Sequence, residues 1–210
     1  MVRRSLPLVA FVLLAVFLAG PAWSAILYVN GSNSTSNGYN VSAIGQAVSN
    51  SFDLSGDSTL TGVEVGLEML PNASDQPLTV DWSIGTAYFG NEISSGTATL
   101  SNAFFGTYTN PSGNDYNVYT SDFALNVTLP AGSYWLTLQN VTTPTPVWPV
   151  FWAANGGDST AYRDYWGSYF QIDSEYFQIS GEQSPVPVPA ALLLLGSGLA
   201  GLAGVKRRKA

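Results

Sequence analysis

Apolar residues recur at every second position in three windows of the chain's middle. In 59–69, Val63, Val65, Leu67 and Met69 fall on one side, with Glu64 and Glu68 on the other. In 78–84 the apolar set is Leu78, Val80, Trp82 and Ile84, with Asp81 outward. In 123–129 it is Phe123, Leu125, Val127 and Leu129, with Asn126 and Thr128 outward. A period of two marks strands that bury one face. Turn formers separate the windows: Leu70-Pro71-Asn72 closes the first, and Asn110-Pro111-Ser112-Gly113-Asn114-Asp115 is a loop. Pro130-Ala131-Gly132 joins 123–129 to 133–141. Asp173-Ser174-Glu175 joins Tyr169-Phe170-Gln171-Ile172 to its copy Tyr176-Phe177-Gln178-Ile179. Both connections are expected to be hairpins. About ten short strands predict an all-β domain over 25–182, an antiparallel two-sheet β-sandwich of jelly-roll-like type.

The two ends break this pattern. Arg3 and Arg4 precede an apolar run at 6–19, followed by Gly20-Pro21 and Ala22-Trp23-Ser24. A basic start, a short apolar run and small residues before the cut describe a secretory signal peptide over 1–24, cleaved between Ser24 and Ala25. At the other end, residues 183–189 form a proline-rich linker, 190–205 are apolar, and Lys206, Arg207, Arg208 and Lys209 follow within the tail 206–210. As a helix, 190–205 would reach about 24 Å, less than the ~30 Å hydrocarbon core it is expected to cross. The terminal cations act as a membrane stop and stay in the cytoplasm, which places everything before Pro185 outside.

This three-part tail resembles the PEP-CTERM sorting signal of Gram-negative bacteria in its Val-Pro-x-Pro-Ala variant. The likeness rests on Val186, Pro187, Val188, Pro189 and Ala190, on the apolar run Leu192-Leu193-Leu194-Leu195-Gly196-Ser197-Gly198-Leu199, and on the basic end. It implies processing by exosortase, a membrane-embedded cysteine transpeptidase-like protease that removes the helix and releases or re-anchors the domain. It also implies a transient stay in the inner membrane, then the cell surface or extracellular matrix, in association with exopolysaccharide and biofilm. Val188 stands where that family has its glutamate, so the scissile bond is left open.

Charge and composition narrow the chemistry of the exported part. The fourteen carboxylates all lie between the two signals, against Arg163 as the one cation there, a net of −13. Such a domain repels nucleic acid, which is therefore not an expected partner. The chain has no cysteine and no histidine, which removes thiol nucleophiles, Ser-His-Asp triads and imidazole zinc sites. Without lysine in the domain there is no Schiff base. The expectation is a non-catalytic structural or adhesive protein without a cofactor.

Two alternatives remain. Trp148, Trp152, Tyr162 and Trp166 head an aromatic cluster that would stack on sugar rings, with Asn155, Asp158 and Asp164 bonding hydroxyls. Large aromatics equally fill a core. A carboxylate-dependent glycosidase needs only two facing acids. Asp53-Leu54-Ser55-Gly56-Asp57 and Asn155-Gly156-Gly157-Asp158 offer oxygens to a structural Ca²⁺ but lack full ligand spacing, and Asx turns explain them as well.

Overall fold

A computed structural model of the protein describes residues 24–34, 37–42, 45–71, 75–145 and 149–184. The expected signal peptide up to residue 23, Trp148, the sorting motif, and the stretch 190–210 where a membrane helix and basic tail are expected lie outside the described residues.

Among the described residues the chain forms thirteen strands and no helix. Seven make one sheet: β1 (Ala25–Asn30), β2 (Gly38–Asn40), β4 (Ser58–Met69), β7 (Ser101–Thr109), β8 (Asp115–Leu129), β10 (Val150–Ala153) and β13 (Phe177–Gln183). Six make the other: β3 (Gln46–Leu54), β5 (Thr79–Gly85), β6 (Ser94–Thr99), β9 (Gly132–Thr142), β11 (Ala161–Tyr165) and β12 (Ser168–Ile172). Their order is β12-β11-β3-β9-β5-β6. Every pairing is antiparallel.

β4 is the spine of the seven-stranded sheet. One edge pairs with β8 along its whole length. The other carries β13 and then β10, laid end to end. The period-two sets of β4 and β8 point between the sheets as expected, buried from Val63 to Met69 and from Phe123 to Leu129. They belong to one core with Val48 and Phe52 of β3 and Leu136 and Leu138 of β9. Each such side chain contributes about 1.5–3 kcal/mol of burial, offset by the entropy of ordering the chain. Leu60 is buried too, although its odd spacing from Val63 is out of phase. A bulge between Leu60 and Gly62 restores the alternation.

Four expectations fail. Leu78 precedes β5 and is 44% exposed. Glu68 is covered, at 2% exposure, beside Val118 and Phe151 on its sheet face. Pro130-Ala131-Gly132 does not close a hairpin, because β8 belongs to the seven-stranded sheet and β9 to the six-stranded one. The 173–175 connection likewise carries the chain from β12 across to β13 in the opposite sheet. A short polar link between alternating strands suits a crossing over the core as well as a hairpin, and distant partners decide which. β12 instead pairs with β11 through a two-residue turn, Trp166-Gly167, with φ of 57° and 81°. Two left-handed residues make the primed turn that matches strand twist. The Gly167 N–H donates to Asp164 Oδ1 at 2.7 Å.

The ends of the domain lie together. Ala25 pairs with Gly181, and Gln183 pairs with Ser58. Ala25 and Gln183 therefore lie at one end of the sheet.

Candidate functional site

The outer face of the six-stranded sheet carries two rows of polar side chains set by strand register. Asp164, Ala47, Gln139, Asp81 and Thr97 stand opposite one another across β11, β3, β9, β5 and β6. Tyr162, Ser49, Thr137, Ser83 and Ser95 form the next row. Their sequence neighbours Val48 and Leu138 point the other way and are fully buried, so alternation itself places these groups on the outer face of the sheet, where Ser49 and Thr137 are nonetheless covered.

The β5–β6 loop, 86–93, folds back over this face. Glu92 accepts from the Thr86 N–H, and from the Thr86 hydroxyl at 2.8 Å. These bonds hold the Glu92 carboxyl below the usual carboxylate range. The Gly90 N–H donates to the Ala87 carbonyl at 3.0 Å, in a bend where a Cβ on Gly90 would lie 2.9 Å from that oxygen. Phe89 takes a left-handed φ of 60°, which costs about 1 kcal/mol for a residue with a Cβ. Its N–H donates to Ser49 Oγ at 3.3 Å, and Thr137 donates to the same oxygen at 2.9 Å. Backbone strain held in place this way often marks functional loops.

The loop sets its two rings among those of the sheet. Tyr88 stacks on Tyr162 at 4.6 Å and meets Trp135 edge-on at 5.7 Å. Phe89 stacks on Tyr169 at 5.1 Å. Between this aromatic wall and the first polar row lies a groove of about 320 Å³, within the size range of small-ligand sites. Phe89 and Asn91 line it from the loop, and Asp81, Thr97, Thr137, Gln139 and Asp164 from the sheet. Asp81 accepts from Thr97 Oγ1 at 2.5 Å and from Asn140 Nδ2 at 2.9 Å.

Among the described residues no cation lines the groove. Arg163 points to the other face of β11, its guanidinium 5.3–5.6 Å from the rings of Tyr39, Tyr165 and Phe170. Asp81 and Asp164 lie three strand spacings apart, about 14 Å between backbones. Thr97 and Gly167 hold the two carboxylates in place. A glycosidase pair stands at about 5–9.5 Å.

The carboxylates on the opposite sheet play other parts. Glu64 and Asp122 face each other across β4 and β8, and Tyr176 donates to Glu64. Burial, then the Glu64 charge, raises Asp122. Burial first and the Glu64 bond next raise Tyr176. Burial pushes Glu68 up to about 8 and leaves its Oε1 unpartnered. Glu175, fully buried, is raised well above the carboxylate range by burial. Its Oε2 accepts from Asn50 at 2.7 Å.

The residues singled out from sequence separate. Trp152 is a core residue at 0% exposure, its Nε1–H donating to the Tyr176 carbonyl at 2.7 Å. It is unavailable to a ligand, because β10 turns it inward between the sheets. Trp166 is 65% exposed at the β11–β12 turn, and Tyr162 supports the groove's aromatic wall. Asp164 lines the groove, whereas Asn155 is used elsewhere, accepting from the Gly157 N–H at 2.9 Å. Sequence reasoning passed over Tyr88, Phe89, Gln139 and Trp135. The signal available was the aromatic pair Tyr88-Phe89 beside Gly90. Asp57 accepts from the Ala131 N–H at 3.0 Å and Asp53 from the Ser133 hydroxyl at 2.5 Å. Among the described residues no group of three or more acidic side chains is placed to hold a metal.

The protein is thus a two-sheet antiparallel β-domain with a polar, aromatic-walled groove on one outer face. Residues 185–209 match the family described as the PEP-CTERM protein-sorting motif, so the chain carries that motif. The motif marks an exported protein processed by exosortase, reaching the cell surface from a membrane-anchored precursor. No curated protein matches the chain.

Proposed function

We propose that the mature domain is a non-catalytic structural or adhesive protein of a Gram-negative cell surface or biofilm matrix, and that it holds exopolysaccharide in the groove. One observation carries this reading: on a chain with an exosortase sorting motif, hydroxyl, amide and carboxylate groups line a trough walled by Phe89. Polar groups of that kind bond sugar hydroxyls, and an aromatic face packs against the apolar face of a sugar ring. The chain's repeated passage between sheets supports a jelly-roll-like description. A cleaved signal peptide and a membrane helix over 190–205 complete the precursor.

The glycosidase reading loses ground to the separation of Asp81 and Asp164, and the domain is read as no enzyme. Trp135 stands in the groove's aromatic wall against Tyr88 and Tyr162 and reports on the groove. Titrating the protein with the host's exopolysaccharide should change its tryptophan emission, and Gln139→Arg, which blocks the trough, should remove the response. An unchanged response in that variant refutes the groove as the site. Delivery has its own test. Pro187→Ala with Pro189→Ala should leave the uncleaved precursor in the membrane fraction, and normal maturation would count against exosortase recognition through these prolines.

A further inference from the structure

We infer that the groove selects a glycan bearing protonated amino groups, such as a de-N-acetylated hexosamine polymer, and rejects acidic polysaccharides; this rests on the saccharide reading above. Two carboxylates, Asp164 and Asp81, stand near the two ends of the first polar row. Both are held by uncharged donors: Asp164 by the Gly167 N–H, Asp81 by the Thr97 hydroxyl and the Asn140 amide. Neither has a cation among the residues lining the groove. Arg163 is the one basic residue between 25 and 184. That guanidinium is enclosed by three aromatic rings on the opposite face of β11.

The rest of the trough is matched to a neutral or positive ligand. Gln139 and Asn91 donate and accept equally well, and the Thr97 and Thr137 hydroxyls, whose protons go to Asp81 and Ser49, keep only acceptor lone pairs, so none of the four favours an anion. The choice falls to the two aspartates. An ammonium on the glycan meets attraction from both. A uronate or sulfate meets repulsion from both, inside a domain whose overall field is already negative.

The test compares two glucosamine oligomers of equal length, one fully N-acetylated and one de-N-acetylated, with an oligouronate as the acidic control. The full chain in detergent micelles is titrated with each at pH 6. At low salt the de-N-acetylated oligomer should bind about tenfold more tightly than the acetylated one, the worth of two exposed ion pairs in the middle of their range. The oligouronate should bind weakest. The preference should shrink with added salt. It should vanish in the double variant Asp81→Asn with Asp164→Asn, which keeps an acceptor oxygen for Thr97 and Gly167.

Equal binding of the two oligomers, or tighter binding of the acetylated or acidic one, overturns the amine selectivity and leaves the saccharide reading standing. The same holds if neither oligomer binds while the host exopolysaccharide does. If no glycan binds at all, both fall together. A preference that survives in the double variant places the selectivity elsewhere and refutes the assignment to Asp81 and Asp164.

Discussion

Replacing Glu68 by glutamine should stabilise the domain, and by more as pH rises. Glu68 lies on β4 between Val118 and Phe151, with one carboxyl oxygen unpartnered. Its folded-state pKa is about 8, against 4.5 for the ordinary side chain. Between those values the folded state keeps a proton that the unfolded chain has released. The unfolding free energy therefore falls as pH rises through the window. At about 1.4 kcal/mol per pH unit the full span would cost on the order of 5 kcal/mol. Relaxation and water entry around a buried charge reduce such penalties, so about 2–4 kcal/mol is expected by pH 9. Glutamine has nearly the same shape and cannot ionise. Urea unfolding of residues 25–184 at pH 5, 7 and 9 should show the two proteins close together at pH 5, with glutamine increasingly ahead at 7 and 9. Glu175 titrates in both proteins, so the difference between them isolates Glu68. A difference that stays constant across the three pH values would refute the reasoning.

Trp152→Ala should cost about 3–5 kcal/mol, since it empties the core beside Phe177 and removes the shorter of the two hydrogen bonds to the Tyr176 carbonyl. A thermal melt reads this directly, and a cost below 1 kcal/mol would contradict the burial. Glu92→Gln should loosen the loop that carries Tyr88 and Phe89, raising the rate of chymotryptic cleavage there at pH 7. Because Glu92 is held below its ordinary pKa by Thr86, its contribution is present above the usual carboxylate range and is lost as pH falls through the lowered value. Wild type should therefore approach the variant's cleavage rate under sufficiently acid conditions, with an acid-tolerant protease as the probe.

The strands were legible because their signal is local. Val63 to Met69 and Phe123 to Leu129 alternate cleanly, and that alternation needs only a buried face, whichever strand lies across it. The connections were not legible for the same reason. Pro130-Ala131-Gly132 and Asp173-Ser174-Glu175 look like hairpin turns, yet each crosses the core, and nothing within three residues encodes which sheet comes next. Glu68 shows a related limit: period two gives its face but cannot say that the face is covered. The groove was harder still. Asp164, Gln139 and Asp81 are brought level by register across β11, β3, β9 and β5, so their alignment exists only after the sheet has formed. Trp152 drew attention as an aromatic residue of a binding cluster, and the phase of β10 sends it inward.

The neighbouring exits of Ala25 and Gln183 bear on how the domain withstands load. β13 leads straight toward the tail, clamped between β1 on one side and β4 on the other. Sheet hydrogen bonds lie perpendicular to the strand. Tension drawn along β13 from a fixed carboxyl end therefore strains both ladders sideways and all at once, where peeling would open them one rung at a time. If the groove grips a polymer on the far sheet, the domain becomes a link whose strongest direction runs from cell to matrix.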